Sequence, residues 1–116
     1  MTLLDDLRWR GVVFDHTPDL PDALASGSVT AYCGFDPTAD SLHVGSLLPL
    51  MGLARLQRAG HTPIALVGGG TGLIGDPSGK RAERTLQTME EVEANVRGIR
   101  SQMEAFLSFE GEHAAK

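Results

Sequence analysis

The sequence lacks a second cysteine, an excess of positive charge and any long apolar run. Cys33 is the one cysteine among 116 residues, which excludes an internal disulfide and favours a reducing, cytoplasmic location. No apolar stretch approaches the roughly 20 residues that a membrane-spanning helix needs, so we expect no membrane contact. The N-terminal run MTLLDDLRWRG has no basic segment followed by an apolar one, and it is therefore not interpreted as a signal peptide.

The charge balance excludes one simple mode of binding. The chain carries 15 acidic and 10 basic side chains, which gives a formal net charge of -5. Proteins that bind a nucleic-acid backbone usually present a basic face, so the net charge of this chain does not indicate nucleic-acid binding. Its length and its hydrophobic content of 41% instead predict one domain with a modest core.

Two short helices are predicted before the first strand. Leucines at helical spacing in residues 2–10 predict a helix that stops at Gly11. In the next segment we expect Thr17 to be the N-cap, Pro18 to occupy the first helical position, and Gly27 to end the helix. We predict that residues 1–28 form an N-terminal helical segment that precedes residues 29–116.

The middle of the chain predicts a strand, a helix and a second strand. Residues 29–35 are rich in β-formers, and residues 62–69 are a continuous apolar run of the kind found in parallel sheets. Between them, residues 42–59 are apolar nearly all round, which predicts a helix buried on more than one side and ended by Gly60. This order predicts an α/β fold built on a right-handed βαβ unit.

A last helix is predicted by a capping box and a clean apolar stripe. Thr88 and Glu91 form a T-x-x-E pattern, which marks a helix start. The stripe predicts about five turns and consists of Val92, Val96, Ile99, Met103, Phe106 and Leu107. Two parallel strands alone do not make a stable open sheet, so the predicted fold is incomplete unless further strands or a partner cover its edges.

The glycine-rich segment 68–79 resembles two nucleotide motifs and fits neither. Gly70 to Gly75 match G-x-G-x-x-G, but a DPSG turn follows where a helix should open. A phosphate loop read back from Lys80 would require glycine at Ile74 and a hydroxyl residue at Arg81. The segment is interpreted as a surface loop whose cationic end, including Arg84, could clamp a phosphate.

The stretch DPTADSLHVGSLLPL (residues 36–50) carries the strongest signal. It lies where a parallel strand turns into a helix, which is where α/β folds bind ligands. The helix start favours an anion, His43 can donate to a phosphate oxygen, Gly45 leaves room for a flat group, and Ser46 offers a hydroxyl. These features suit a nucleoside triphosphate. A capped core helix with a solvated histidine is the alternative.

Two motifs carry a resemblance to a known family. YCGFDPTADSLHVGSLLPL and TGLIGDPSGK with ER beyond it closely resemble the start of bacterial tyrosyl-tRNA synthetases of class I, over nearly the whole chain. The resemblance implies a Rossmann-like nucleotide-binding fold, of which residues 29–116 would be the first half of the catalytic domain. It also implies activation of tyrosine by ATP to tyrosyl-adenylate, followed by transfer to tRNA(Tyr).

The resemblance implies three groups of site residues. The catalytic group, which would stabilise the reacting phosphates, is Thr38, His43, Lys80 and Arg84. The tyrosine-binding group is Tyr32, Thr71 and Asp76. The ATP-binding group is Cys33, Gly34, Asp36, His43, Gly45 and Ser46. ATP would come with Mg²⁺ as a substrate, with no protein metal site and no tightly bound cofactor, and the full-length protein would be a homodimer.

The match departs from the family pattern at two positions. Ser46 stands where the family usually has the second histidine of its His-x-Gly-His signature, and Pro49 lies inside the predicted helix, where it costs up to ~3 kcal/mol and is expected to kink it. The family's catalytic domain also continues well beyond residue 116. Two alternatives therefore stay open beside the synthetase: a non-catalytic ATP- or adenylate-binding module derived from one, and an interaction domain with apolar helix faces.

Overall fold

The described part of the chain consists of a parallel pair of strands with helices around it. The computed structural model describes residues 2–68 and 88–116. In chain order the elements of this part are α1 (Leu3–Trp9), α2 (Leu20–Ser26), β1 (Thr30–Phe35), α3 (Val44–Arg58), β2 (Thr62–Val67) and α4 (Met89–Met103). The strands β1 and β2 pair in parallel, with Cys33 opposite Ala65 and Phe35 opposite Val67. The predicted α/β class and the strand–helix–strand order are confirmed.

The first helix begins at a capping box and is followed by a glycine. Thr2 and Asp5 form a reciprocal capping box at the start of α1. Hydrogen bonds from the Thr2 backbone N–H and from its side chain lower the pKa of Asp5 below its usual value. Gly11 follows the helix with a positive φ of 70°, so the predicted stop is confirmed.

The predicted start of α2 is wrong by two residues. Asp19 is the N-cap, and a proline, Pro21, lies in the first turn. Thr17 lies before the helix, in a turn of residues 17–20 in which its carbonyl accepts a hydrogen bond from the N–H of Leu20. Gly27 ends the helix as predicted.

Helix α3 runs through its proline without interruption. It spans Val44–Arg58, starts two residues later than predicted, and contains Pro49. Proline has no N–H to donate to the carbonyl of Gly45, so the helix loses that one internal bond and not its continuity. Gly60, with φ of 93°, follows the capping residue Ala59 and confirms the predicted end.

The core lies between the sheet and the two long helices. Ile99 and Met103 of α4 are fully buried and pack with Leu50 and Leu53 of α3 and with Phe35 of β1. The strand residues on this face alternate with residues on the other, as the period of two requires.

The prediction that α3 is buried on more than one side is wrong for the described residues. Val44 and Leu48 are exposed, and the buried residues of α3, which are Ser46, Leu50, Leu53 and Ala54, lie on one side of the helix.

Helix α4 is one turn shorter than predicted, and the chain then returns to the sheet. Thr88 accepts a hydrogen bond from the Glu91 N–H, as the capping pattern predicts, but the helix ends at Met103. A turn follows, and the backbone of Lys116 then donates to Pro63 and accepts from Ala65 of β2. This residue therefore pairs with the edge of β2 that β1 leaves open, which is the position of a further parallel strand.

Candidate functional site

Six of the predicted site residues surround one cavity at the carboxyl end of β1. The cavity has a volume of about 420 Å³ and opens where β1 passes into the loop 36–43 and then into α3. Its lining consists of Gly34, Phe35, Asp36, Thr38, His43, Gly45, Ser46 and Pro49. A volume of this size falls within the range of small-molecule sites. The strand end and the helix start supply the lining because they are only nine residues apart in the chain.

The start of α3 opens into this cavity without a side-chain cap. His43 is the N-cap residue, in extended conformation, and its side chain makes no capping hydrogen bond. The backbone N–H of Ser46 donates to the His43 carbonyl at 3.0 Å. The positive end of the helix dipole therefore faces the cavity, and this favours an anionic group there.

Gly45 lies against the side chain of His43. A Cβ atom at this position would lie 2.9 Å from Cε1 and 3.0 Å from Nδ1 of His43. The absence of a side chain therefore makes room for the imidazole of His43. The predicted contact of Gly45 with a flat group of ATP stays a prediction.

Ser46 supplies a buried hydroxyl. The residue is 9% exposed, lines the cavity and lies on the first turn of α3. Among the described residues no hydrogen bond of its side chain is found. A buried hydroxyl without a partner costs free energy, so a polar ligand in the cavity would satisfy it.

Tyr32 and Cys33 lie on opposite faces of β1 and neither lines the cavity. Tyr32 is 72% exposed, on the sheet face opposite α3 and α4. That exposure is compatible with a ligand contact, which stays a prediction. Cys33 packs against the hydrophobic core beside Ala65, as a small apolar side chain does, and its predicted contact with ATP also stays a prediction.

Four predicted site residues lie outside the described residues. They are Thr71, Asp76, Lys80 and Arg84, together with the glycine pattern from Gly70 to Gly75. The cations predicted for the phosphates are thus not part of the described site, in which the start of α3 is the positive element.

Beside this site, a cavity of about 360 Å³ is also lined by His43, together with mostly apolar residues. A cavity of about 850 Å³ lies between α1 and α3, but none of the predicted site residues lines it. No group of three or more His, Cys, Asp or Glu side chains is placed to hold a metal ion in this part of the chain. Within the same ranges, no helix is both long and apolar enough to span a bilayer.

Comparison with known proteins assigns the family. Residues 25–115 match the family described as tRNA synthetases class I (W and Y), which covers most of the chain. The chain belongs to this family of class I tRNA synthetases. The family match begins just before β1 and therefore includes every element that builds the cavity.

Two curated relatives are similar to nearly the whole chain. The chain is 60% identical over 115 residues to the tyrosine–tRNA ligase of Roseiflexus castenholzii and 57% identical over 116 residues to that of Staphylococcus carnosus. Each comparison covers 98% of this chain, but only 27% and 28% of the relative. The chain thus spans about a quarter of the length of the curated relatives that it matches.

A solved structure shares the fold. A C-terminally truncated Aspergillus nidulans mitochondrial tyrosyl-tRNA synthetase superposes with a TM-score of 0.72 at 33% identity, over 89% of this chain and 29% of that one. The Rossmann-like class I fold expected from the sequence is confirmed.

Sequence reasoning missed the residues that support the site from a distance. Pro37, in the loop beside the cavity, is fully buried, and its carbonyl accepts a hydrogen bond from Asn95 of α4. Gln102 of the same helix accepts one from the N–H of Leu42. Polar residues at helical spacing beside the apolar stripe of α4 were the signal available in the sequence.

Proposed function

We propose that this chain forms the ATP-binding part of a tyrosine–tRNA ligase. The full protein would activate tyrosine with ATP to give tyrosyl-adenylate and pyrophosphate, and would then transfer the tyrosyl group to tRNA(Tyr). The observation that carries the proposal is the single cavity lined by Gly34, Asp36, Thr38, His43 and Ser46 at the uncapped start of α3. The names of the relatives support the choice of tyrosine.

The adenylation step needs no nucleophile from the protein. The tyrosine carboxylate attacks the α-phosphate, a P–O bond to it forms, and the bond to pyrophosphate breaks. Negative charge grows on the five-coordinate phosphorus centre and on the leaving group. The protein contributes by placing donors where that charge develops, which accelerates the step more than it strengthens substrate binding.

Five residues of the described site have a role in this proposal. The His43 imidazole and the Thr38 hydroxyl would donate to the phosphates, and the Ser46 hydroxyl would bind the ribose. Gly34 and the N–H of Asp36 would lie close to the nucleotide. Lys80 and Arg84 would close over the pyrophosphate, and Tyr32, Thr71 and Asp76 would hold the substrate tyrosine.

Further parts of the proposal concern the complete protein. ATP would bind as its Mg²⁺ complex, in which the metal shields the phosphate charge. No set of protein side chains would be dedicated to the metal. We propose residues 1–28 as an N-terminal helical segment and residues 29–116 as the first half of the catalytic domain. We also propose that the protein works as a homodimer in the cytoplasm.

The test is a comparison of rate with affinity. His43→Ala and Lys80→Ala, each in the protein as its gene encodes it, should lower the rate of ATP–pyrophosphate exchange about 100-fold, the usual effect of removing one transition-state donor. The dissociation constant for tyrosine should change less than threefold. His16→Ala is the matched control, since His16 bonds to Thr17 and lies away from the cavity.

Two outcomes would contradict the proposal. An equal loss of exchange rate and tyrosine affinity in His43→Ala would mean that this residue maintains the fold and not the transition state. ATP binding by the unmodified protein without any pyrophosphate exchange would identify a non-catalytic nucleotide module, to which the serine at position 46 points weakly.

A further inference from the structure

The loop 36–43 joins β1 to α3 and carries two of the proposed phosphate-binding side chains. Thr38 and His43 both line the cavity, and the segment between them, residues 39–42, has no regular secondary structure. Side chains on such a loop stay in place only if contacts with the rest of the protein hold the loop backbone.

Helix α4 bonds to both ends of the loop. The side-chain amide of Asn95 donates to the carbonyl of Pro37 at 3.0 Å, and the backbone N–H of Leu42 donates to Oε1 of Gln102 at 2.7 Å. The two bonds enclose Thr38 and end one residue before His43. Asn95 and Gln102 are seven residues apart, which places them on the same face of the helix.

Between these two bonds the helix touches the loop backbone directly. A Cβ atom at Gly98 would overlap the carbonyl oxygen of Asp40. The glycine therefore allows an approach that no other residue would allow without movement of the helix or of the loop. Asn95, Gly98 and Gln102 form one stripe, in contact with the loop over about two turns of the helix.

Apolar contacts keep that stripe in register with the loop. Pro37 is fully buried, and Leu42 packs against the hydrophobic core. On the adjacent stripe of α4, Ile99 and Met103 are buried in the same core. The apolar stripe thus holds the helix against the core. The polar stripe, through its hydrogen bonds, holds the loop against the helix.

We propose that Asn95 and Gln102 are positioning residues for adenylation. Neither residue lines the cavity, and they act by holding the loop 36–43 so that Thr38 and His43 point at the triphosphate. This inference rests on the proposed function. Because a misplacement of about 1 Å can cost roughly 100-fold in rate, loss of one anchor should lower the turnover number of exchange about tenfold.

The test compares two substitutions of Gln102 in the full-length protein. Gln102→Met keeps the length of the side chain and removes the acceptor, and Gln102→Glu keeps an acceptor oxygen in the same place. The first should lower the turnover number of ATP–pyrophosphate exchange about tenfold, and the second should restore it to within about threefold. The dissociation constant for tyrosine should be unchanged in both.

A second readout follows the anchor itself. Hydrogen exchange of the Leu42 amide should become at least tenfold faster in Gln102→Met than in Gln102→Glu, because its acceptor is lost. This measurement needs no activity, so it separates a failure of the positioning idea from a failure of the proposed function. Asn95→Leu removes the other anchor and should reproduce the loss of turnover, independently of how Gln102→Met folds.

The inference would be overturned by two results. One is an unchanged turnover number in both Gln102→Met and Asn95→Leu. The other is equal loss in Gln102→Met and Gln102→Glu with equal exchange of the Leu42 amide, which would indicate packing by the side chain and no role for its acceptor.

Discussion

Single residues at the start of α3 determine what the cavity can bind. His43 presents its ring there because Gly45, two residues later, has no side chain to displace it. Ser46 turns a buried hydroxyl toward the same space. These two small residues are as important to the site as the histidine, since one places the ring and the other leaves a hydrogen-bonding group without a partner in the described part of the chain.

At this scale the most informative change is Gly45→Ala. The added methyl group would lie 2.9 Å from Cε1 of His43, so the ring has to move. We expect a loss of about tenfold in the rate of ATP–pyrophosphate exchange, with the midpoint of thermal unfolding unchanged or raised, since alanine favours the helix.

Gly52→Ala is the matched control for that change. Gly52 belongs to the same helix, and no atom lies within 4 Å of the position its Cβ would take. This variant should keep its exchange rate and gain about 0.5–1 kcal/mol in the free energy of unfolding. Equal exchange rates in the two variants would show that Gly45 does not place the His43 ring.

At the scale of elements, helix α3 is tied to the segment that follows α4 by one side chain. The amide nitrogen of Gln57 donates to the carbonyls of Ser108 and His113 at 2.7 and 2.8 Å, and its oxygen accepts from the Ser108 N–H at 2.9 Å. Three backbone groups of an irregular segment thus bond to one side chain, and the Ser108 carbonyl also accepts from the N–H of Ala115. The same segment leads to Lys116, which pairs with β2.

Gln57→Leu should therefore loosen the end of the chain. Loss of three hydrogen bonds at a partly exposed site should lower the free energy of unfolding by about 2 kcal/mol, measured by urea denaturation. Arg58→Ala, at the exposed neighbouring position, should change it by less than about 0.5 kcal/mol. A similar value for the two variants would rule out this role of Gln57.

At the scale of the whole molecule, one core joins the sheet, both long helices and the end of the chain. Ile99 has no exposed surface, and it lies in the cluster with Phe35, Leu50, Leu107 and Ala115. The opposite face of the sheet carries the exposed side chains of Tyr32 and Leu66. Among the described residues the core is therefore one-sided, and it lies under the helix that anchors the loop 36–43.

Ile99→Ala should be the most costly of the truncations considered. We expect a loss of about 2–5 kcal/mol in the free energy of unfolding, because the side chain is fully buried and its removal leaves a cavity. Val96→Ala, on the same helix and only half-buried, should cost less than about 1.5 kcal/mol. Denaturation curves of both variants check this, and a smaller effect at Ile99 than at Val96 would contradict the assignment of the core.

The candidate site could be predicted from the sequence where it depends on neighbours in the chain. Residues 34–46 are contiguous, and the direction from strand end to helix start follows from a short connection, so their shared cavity at the start of a helix was predictable. The start of α2 was not, because a turn at Thr17 competes with its capping role.

The amino-acid sequence by itself determined which chemical groups meet at the start of α3, since they are joined by only a few backbone bonds. Only the tertiary structure decided what holds them there. Pro37 and Asn95 are 58 residues apart, and Leu42 and Gln102 are 60. Contacts across such separations are set by how the helices pack on the sheet, and no local propensity encodes that packing.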